Sequence, residues 1–413
     1  MSRIRYGVSP WALVAAAKAP KAQAFPTTLG LDNADVVVVG AGLTGMLTAV
    51  ALRAAGQDVV LLEAGRVGAA HSAGASGITG LLLATDYRVL ETPHGRRVAR
   101  TLVSTVADAG AGLAAGLKAA KIPGAVAGRD LLLAADAAAR GWDREVAARA
   151  AAGLTTSAVS GAALAKATRA DLSAALRVRG AGLVEVARIV PGAAARLGPA
   201  RVKVFERSRV TKITFSRVDA TVHVGTRAIV TPRVVICTDA PGALAPTLDR
   251  HVRAYERFHV LTAVLPAAMR KALGADLGTT VLVDRSADFA VTATAEGRLL
   301  LSGADVPLLG EKQRAAALVQ RTGQLMYECL KRYPDMAGLA PEYGWSSPLV
   351  TAPDRFPLVG PHRQYPHQIF SFGTDADPSL AWMASGMLVR AVLRTPTATD
   401  EMFGFARVQE DRS

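Results

Sequence analysis

The hexapeptide Gly40-Ala41-Gly42-Leu43-Thr44-Gly45 has the spacing GxGxxG. It follows the apolar run DVVVV and opens MLTAVALRAAG, whose apolar positions recur at helical spacing before a terminal glycine. A turn of this kind can bind a pyrophosphate. Gly40 permits the tight turn, and Gly42 lets the backbone approach the anion at a helix N-terminus, where unpaired N–H groups favour negative charge. Gly45 lets helix and strand pack closely. Glu63 ends the next apolar run, DVVLLE, eighteen residues after Gly45, where a carboxylate can accept hydrogen bonds from an adenosine ribose. The glycines alone would fit any glycine-rich turn. Strand, turn, helix, strand and acid in register predict a bound adenine dinucleotide.

Near the other end of the chain, FSFGTDADPSLAW (370–382) sets Asp375 and Asp377 between a lone glycine and an apolar stretch. Two carboxylates at this spacing can act as an acid–base pair, ligate a metal, or begin a helix. No partner ligands are near in sequence, so a metal is not expected. Asp377 suits a helix N-cap, Pro378 suits the first helical position, and SLAWMASGMLVRAVL continues with helical spacing.

These groups need a scaffold. Residues 35–63 read as strand, turn, helix and strand; 84–178 is Ala/Arg-rich and largely helical in pattern, broken at Pro123-Gly124 and Gly141. A helix is expected over 182–198, divided or kinked at Pro191. Strand signals follow in VKVFERSRVTKITFS, ATVHVGT and AIVTPRVVICT, and again within 255–305. Amphipathic helices are expected over 311–332 and 378–394. Strands of two sheets alternate along the chain, which predicts two interwoven domains.

A chain of 413 residues with half of them hydrophobic can bury two cores. The net charge of +14 is scattered, with no Lys/Arg run and no interleaved aromatics, so nucleic-acid binding is not expected. Cys237 and Cys329 are far apart and form no CxxC, which fits a reducing cytoplasm. WALVAAA is short and is followed by Pro20 and Pro26, so no signal peptide is expected. Residues 36–52 are uncharged, but their three glycines and the turn at their centre argue against a membrane span.

After Glu63 the chain returns at once to a small-residue loop, Ala75-Ser76-Gly77-Ile78-Thr79-Gly80, which suits a large flat ring approached by backbone. At this point the sequence resembles the D-amino-acid oxidase, glycine oxidase and sarcosine oxidase type of FAD-dependent oxidoreductase, over nearly the whole chain. ADVVVVGAGLTGMLTAVALRAAGQDVVLLEAGRVG resembles that family's dinucleotide motif and GASGITG its flavin loop. GLVEVARIV, SRVTKI, RVVICTDAPG, RLLLSGADV, GWSSPLVTAPDRFPLVG and FGTDADPSLAWMASGMLVRAVL are similar to its later landmarks, in order.

The resemblance implies an α/β fold in which a Rossmann-like FAD domain of the glutathione-reductase type is interwoven with an antiparallel-sheet substrate domain. The corresponding division is a lead-in over 1–33, an FAD-binding part over 34–83, 180–249 and 340–413, and a substrate or cap part over 84–179 and 250–339. It implies cofactor contacts from Gly40, Gly42, Leu43, Thr44, Gly45, Glu63, Ala64, Ser76, Gly77, Ile78, Val210, Thr238, Gly373, Thr374 and Asp375. His71 lies where some relatives attach flavin covalently; a non-covalent FAD is expected here. The implied chemistry is hydride removal from a carbon bearing an amine, with oxygen or another acceptor reoxidising the flavin.

The chain departs from the family in three places. Ser347 stands where an arginine clamps the substrate carboxylate, so Arg285 and Arg355 become candidates for that role. Phe289 occupies the strand where tyrosines are expected. Thr374 to Pro378 replace a glycine run, so Asp375 could set a carboxylate beside the flavin and lower its reduction potential. An oxidoreductase acting on an amine or amino-acid-like small molecule is the expectation. The alternatives are a flavin monooxygenase or reductase of the related hydroxylase group and a catalytically reduced FAD-binding scaffold.

Overall fold

The computed structural model describes residues 4–13, 33–124, 127–135, 142–197, 202–273 and 278–408. The two continuous apolar runs become the fully buried strands Val36–Val39 and Val59–Leu62, paired in parallel with Val36 opposite Val59. Strands buried on both faces need no polar alternation, which is why these read as unbroken Val/Leu runs. They belong to a six-stranded sheet in the order 358–361, 368–372, 233–239, 36–39, 59–62 and 202–205. All its pairings are parallel except Leu358–Pro361 against Gln368–Phe372.

The chain leaves Val36–Val39 toward one side of this sheet and returns later to its other side through Arg233–Asp239. That is a topological switch point, and the crevice beyond the carboxyl ends of such strands is where α/β folds bind ligands. A small antiparallel sheet of Val210–Phe215, Ala220–Val224 and Arg227–Thr231 sits beside it.

A ten-stranded sheet forms the second layer. It is mostly antiparallel, with parallel pairings of Arg5–Tyr6 to 343–344 and of Thr280–Asp284 to Ala127–Ala135. Along the chain the two sheets alternate, from 36–62 to 78–183, to 202–239, to 253–351 and to 358–372. This is the interwoven α/β architecture expected from the sequence.

Two local expectations change. The 84–178 stretch contains the strands Ala127–Ala135, Thr156–Ser160 and Ala174–Leu183, although its Ala and Arg favour helix. Pairing in the large sheet overrides that preference, and the alternation in AALRVRGAGL was the available signal. Within the lead-in, Arg5–Tyr6 forms an edge strand. Residues 14–32 and the break expected at Gly141 lie outside the described residues.

The long element Tyr87–Ala119 is divided by Gly95, at φ 74° and ψ 159°. Its second half docks on the C-terminal helix Pro378–Val392 through a groove of small residues. A Cβ added to Gly116 would lie 1.9 Å from the Trp382 ring, and one on Gly112 would lie 2.9 Å from the Trp382 indole nitrogen. Trp382 is therefore a packing residue that sets the position of a helix whose N-terminus faces the crevice. Among the described residues, no helix is long and apolar enough to cross a membrane.

Replacing Gly116 with valine forces Trp382 out of its groove, so Gly116→Val should cost about 1–3 kcal/mol by overpacking. Urea unfolding checks this; an unchanged midpoint would show that Trp382 does not fix the C-terminal helix.

Candidate functional site

The glycine turn has the close approaches its spacing predicts. Gly40 has φ +100°, and a Cβ there would lie 2.4 Å from the Cys237 carbonyl oxygen on the neighbouring strand. A Cβ on Gly45 would lie 1.9 Å from the Gly40 carbonyl oxygen, so only glycine lets the Leu43–Ala54 helix start this close to its strand. Glu63 is buried at the end of Val59–Leu62, where its carboxylate accepts the Ala41 N–H at 2.9 Å and the Gly65 N–H at 2.7 Å. It braces the turn from below. Ala64 beside it is exposed.

The space above Gly42 belongs to other segments. A Cβ there would meet Asp375 Oδ2 at 2.8 Å and Ser72 Oγ at 3.1 Å. Ser72, in the short helical turn His71–Gly74, accepts the Leu43 N–H at 2.8 Å. Asp375 Oδ1 accepts from the Thr44 hydroxyl at 2.6 Å, and its carboxylate also interacts with the Thr44 backbone N–H. Thr374 Oγ1 lies 2.9 Å from Thr44 Oγ1. The helix N-terminus is thus capped by two side chains distant in sequence, its own Gly42 having none to offer.

Asp239 sets this arrangement. It ends the strand Arg233–Asp239 at φ +63°, and its Oδ1 accepts the Thr374 N–H at 2.8 Å and the Asp375 N–H at 3.1 Å. Its Oδ2 lies 3.8 Å from His71 Nδ1 and has no hydrogen-bond partner among the described residues. Burial, followed by the Asp239 charge, raises Asp375 to about 6, against the hydrogen bond from Thr44. Burial lowers His71, but the facing Asp239 carboxylate, with the Asp375 and Glu256 charges adding to it, outweighs that and leaves it raised. Gly373 has φ +76° and a Cβ position 2.9 Å from the Val350 carbonyl oxygen, so the loop can turn only with glycine there.

Asp377 caps the Pro378–Val392 helix as its sequence position predicts, accepting from the Ser379 N–H at 2.9 Å and the Ser379 hydroxyl at 2.7 Å. Its other oxygen accepts the Gly80 N–H at 2.8 Å, which ties the helix to the small-residue loop. In that loop Gly77 has φ +82° with a Cβ position 2.2 Å from the Val184 carbonyl oxygen, and Ser76 and Ile78 are buried. Gly40, Gly42, Leu43, Thr44, Gly45, Glu63, Thr374 and Asp375 therefore converge, and Asp377 ties Gly80, next to Ser76–Ile78, to the same place. Thr238 precedes Asp239 and donates its hydroxyl to the Ala240 carbonyl. Val210 packs in the apolar cluster on the sheet with Val37, Val60 and Phe205.

On the far side of the 373–377 loop lies a cavity of about 940 Å³. Gly373, Ala376 and Asp377 line one wall. Arg253, Tyr255 and Arg257 of the large sheet also line the cavity, as do Arg285 and Arg355. The two arginines expected from sequence thus share one cavity. Arg253, Tyr255 and Arg257 were not expected there; only the strand alternation of RAYERF, with every second residue on one face, could have indicated them.

Ser347 does something other than clamp. It is buried, its hydroxyl lies 2.8 Å from His259 Nε2, and His259 Nδ1 lies 3.0 Å from Ser302 Oγ. Trp345 packs on His259 at 5.2 Å between ring centroids and donates its indole N–H to the Gly74 carbonyl at 2.9 Å. Burial, reinforced by the Arg257 charge, lowers His259 to about 3, so it is neutral. Among the described residues no group of three His, Cys, Asp or Glu could hold a metal ion.

An FAD fits these residues at both ends. The glycine cradle and Glu63 suit its adenine half, and the cavity beside Gly373–Asp377 suits its ring. Between them, the anion position at the helix N-terminus is held by Asp375 and Ser72, whose side chains must move to admit a diphosphate.

Compared with known proteins, residues 35–391 match the family described as FAD dependent oxidoreductase (DAO). Over 99 residues the chain is 41% identical to the gamma-glutamylputrescine oxidoreductase of Escherichia coli (strain K12), a match covering 23% of this chain and 22% of that protein. The fold is similar to L-proline dehydrogenase from P. horikoshii, with TM-score 0.71 and 16% identity over 91% of this chain and 99% of that one. It is also similar to glycine oxidase from Geobacillus kaustophilus, with TM-score 0.70 and 19% identity over 92% and 99%.

The His259 shift carries a pH signature. His259 stays neutral in the fold down to about 3 but takes a proton at its ordinary value of 6.5 when unfolded. Its contribution to stability is therefore present above 6.5 and is lost progressively as pH falls below that value, on the order of 2 kcal/mol by pH 5. Asp375 works in the opposite direction. His259→Gln should flatten the loss of melting temperature between pH 6.5 and 5 relative to the wild type; parallel curves would contradict the assignment.

Proposed function

The chain belongs to the FAD-dependent oxidoreductase family, and from that premise we propose that it oxidises an amine or amino-acid-like substrate in the cavity between the 373–377 loop and the large sheet. FAD, when bound, supplies the hydride acceptor and passes the electrons on to oxygen or another acceptor. Gly40, Gly42, Leu43, Thr44, Gly45 and Glu63 would hold its adenine and diphosphate half, and Ser76, Gly77, Ile78, Gly373 and Thr374 its ring.

The observation that carries this reading is the pair of arginines, Arg285 and Arg355, that line the cavity. Of the carboxylates lining it, Asp284 is paired with Arg332 and Asp354 with Arg407 and His94, while Asp86 and Asp288 accept backbone N–H groups and feel the charges of Arg285 and Arg355. Arg257 is likewise held by Asp305 through two bonds of 2.8 and 2.6 Å. Among the described residues the Arg285 and Arg355 guanidinium groups form no hydrogen bond or ion pair, so both are available at the cavity to the carboxylate of an amino-acid-like molecule. Leu81, Leu82, Val283, Phe289 and Leu380 supply an apolar lining that limits water. An amine arriving neutral needs no general base to surrender a hydride from its carbon, so none is assigned. Two buried free cysteines suit a reducing cytoplasm.

A second reading, a catalytically reduced FAD-binding subunit, draws on Ser347, which is locked to His259 where the family's arginine would stand. Anaerobic bleaching of the flavin by a panel of secondary amines and D- and L-amino acids separates the two. We expect at least one amine to bleach it. Bleaching by NADPH alone would point instead to the hydroxylase group, and no bleaching at all to the scaffold. With a bleaching substrate in hand, Arg285→Ala or Arg355→Ala should raise KM about tenfold while leaving kcat within about twofold; unchanged KM in both would remove the arginines from substrate binding.

A further inference from the structure

The N-terminus of the Leu43–Ala54 helix already holds an anion, and that anion belongs to the chain. Asp375 is buried, its carboxylate lies 2.8 Å from where a Gly42 side chain would start, and it accepts from the Thr44 hydroxyl at 2.6 Å. This is the position that a GxGxxG turn keeps open for a diphosphate. We propose that Asp375 is an internal occupant of the diphosphate site, displaced when cofactor binds, and that protonation of Asp375 controls cofactor uptake. The inference rests on the FAD reading of the family.

Three observations converge on it. Asp239 holds the Thr374 and Asp375 N–H groups on one carboxylate oxygen, which aims the Asp375 side chain at the helix. The second Asp239 oxygen has no hydrogen-bond partner and faces His71 at 3.8 Å, so two carboxylates share one imidazole. Among the described residues no other cation is paired with them, and Cys237, beneath the turn, is pushed up by burial and then by the Asp375 charge, and stays a neutral thiol. Glu256, which also acts on His71, is itself paired with Arg314 at 2.9 Å.

With Asp375 ionised, a diphosphate must displace a charge-assisted hydrogen bond and approach a second carboxylate. With Asp375 protonated, the carboxyl group can turn away without carrying charge into a buried space. Asp375 is raised to about 6, so the change falls between mildly acidic and mildly alkaline solution. A protonated His71 acts in the same direction by offsetting Asp239.

The test measures FAD affinity of the full-length apo chain by quenching of FAD fluorescence at about pH 5.5 and about pH 8. The wild type should bind FAD about tenfold to a hundredfold more tightly at the lower pH. Asp375→Gly and the near-isosteric Asp375→Asn should bind at least about tenfold more tightly than wild type at pH 8 and lose most of the pH dependence, while His71→Gln keeps it. Circular dichroism and thermal melting establish that each variant is folded, and Asp375→Asn carries the test if the glycine variant is not. A wild-type affinity independent of pH, weaker binding by a folded Asp375→Asn, or loss of the pH dependence in His71→Gln alone would overturn the proposal. Failure of every form to bind FAD at either pH would overturn the cofactor reading with it.

Discussion

A helix that begins at the buried edge of a parallel sheet exposes N–H groups that something must satisfy. In this chain the start of Leu43–Ala54 lies where the central strand of the six-stranded sheet ends, and no residue at Gly42 can reach back to cap it. Much of the crevice is organised around that need. Ser72 comes from the segment after the second strand, Asp375 from the loop after Gln368–Phe372, and Asp239 from the end of Arg233–Asp239 holds the Asp375 loop in place. Segments separated by as much as 331 residues meet at one helix turn. A cofactor diphosphate and the chain's own carboxylate are alternative answers to the same electrostatic demand.

The C-terminal helix links this centre to the cavity. Asp377 caps it and also holds the Gly80 N–H, so the small-residue loop and the helix move as one piece. Trp382, seated on Gly112 and Gly116, fixes the helix against Tyr87–Ala119. Beyond the loop, the large sheet presents Arg253, Tyr255 and Arg257, with Arg285 and Arg355 nearby, toward the same space. Ser347, His259 and Ser302 form a neutral hydrogen-bonded row that packs the sheet under His71–Gly74. The substitution of Ser347 for the family's arginine is thus built into the packing, and the arginines of the cavity come from other segments.

The parts legible in the sequence were those governed by local rules. The buried Val/Leu runs, the glycine spacing, Glu63, and Asp377 before Pro378 each follow from backbone geometry or capping within a few residues. Ala127–Ala135 and Ala174–Leu183 were obscured because Ala and Arg favour helix, and sheet pairing overrides that preference, with the alternation in the second as the one local signal. Asp239 was hidden for a related reason. It reads as the end of a strand, and its role comes from N–H groups more than a hundred residues away. Asp375 was recognised as out of place in a glycine run, but its burial against Thr44, on the dinucleotide side of the loop and away from the cavity, could come only from the fold.

The proposed function requires a cofactor seated in the glycine cradle. The most direct measurement is the visible absorbance of the full-length protein after incubation with FAD in mildly acidic solution and removal of the unbound fraction. Bands near roughly 370 and 450 nm, corresponding to about one flavin per chain, are the predicted result. A colourless protein that retains no FAD would contradict it.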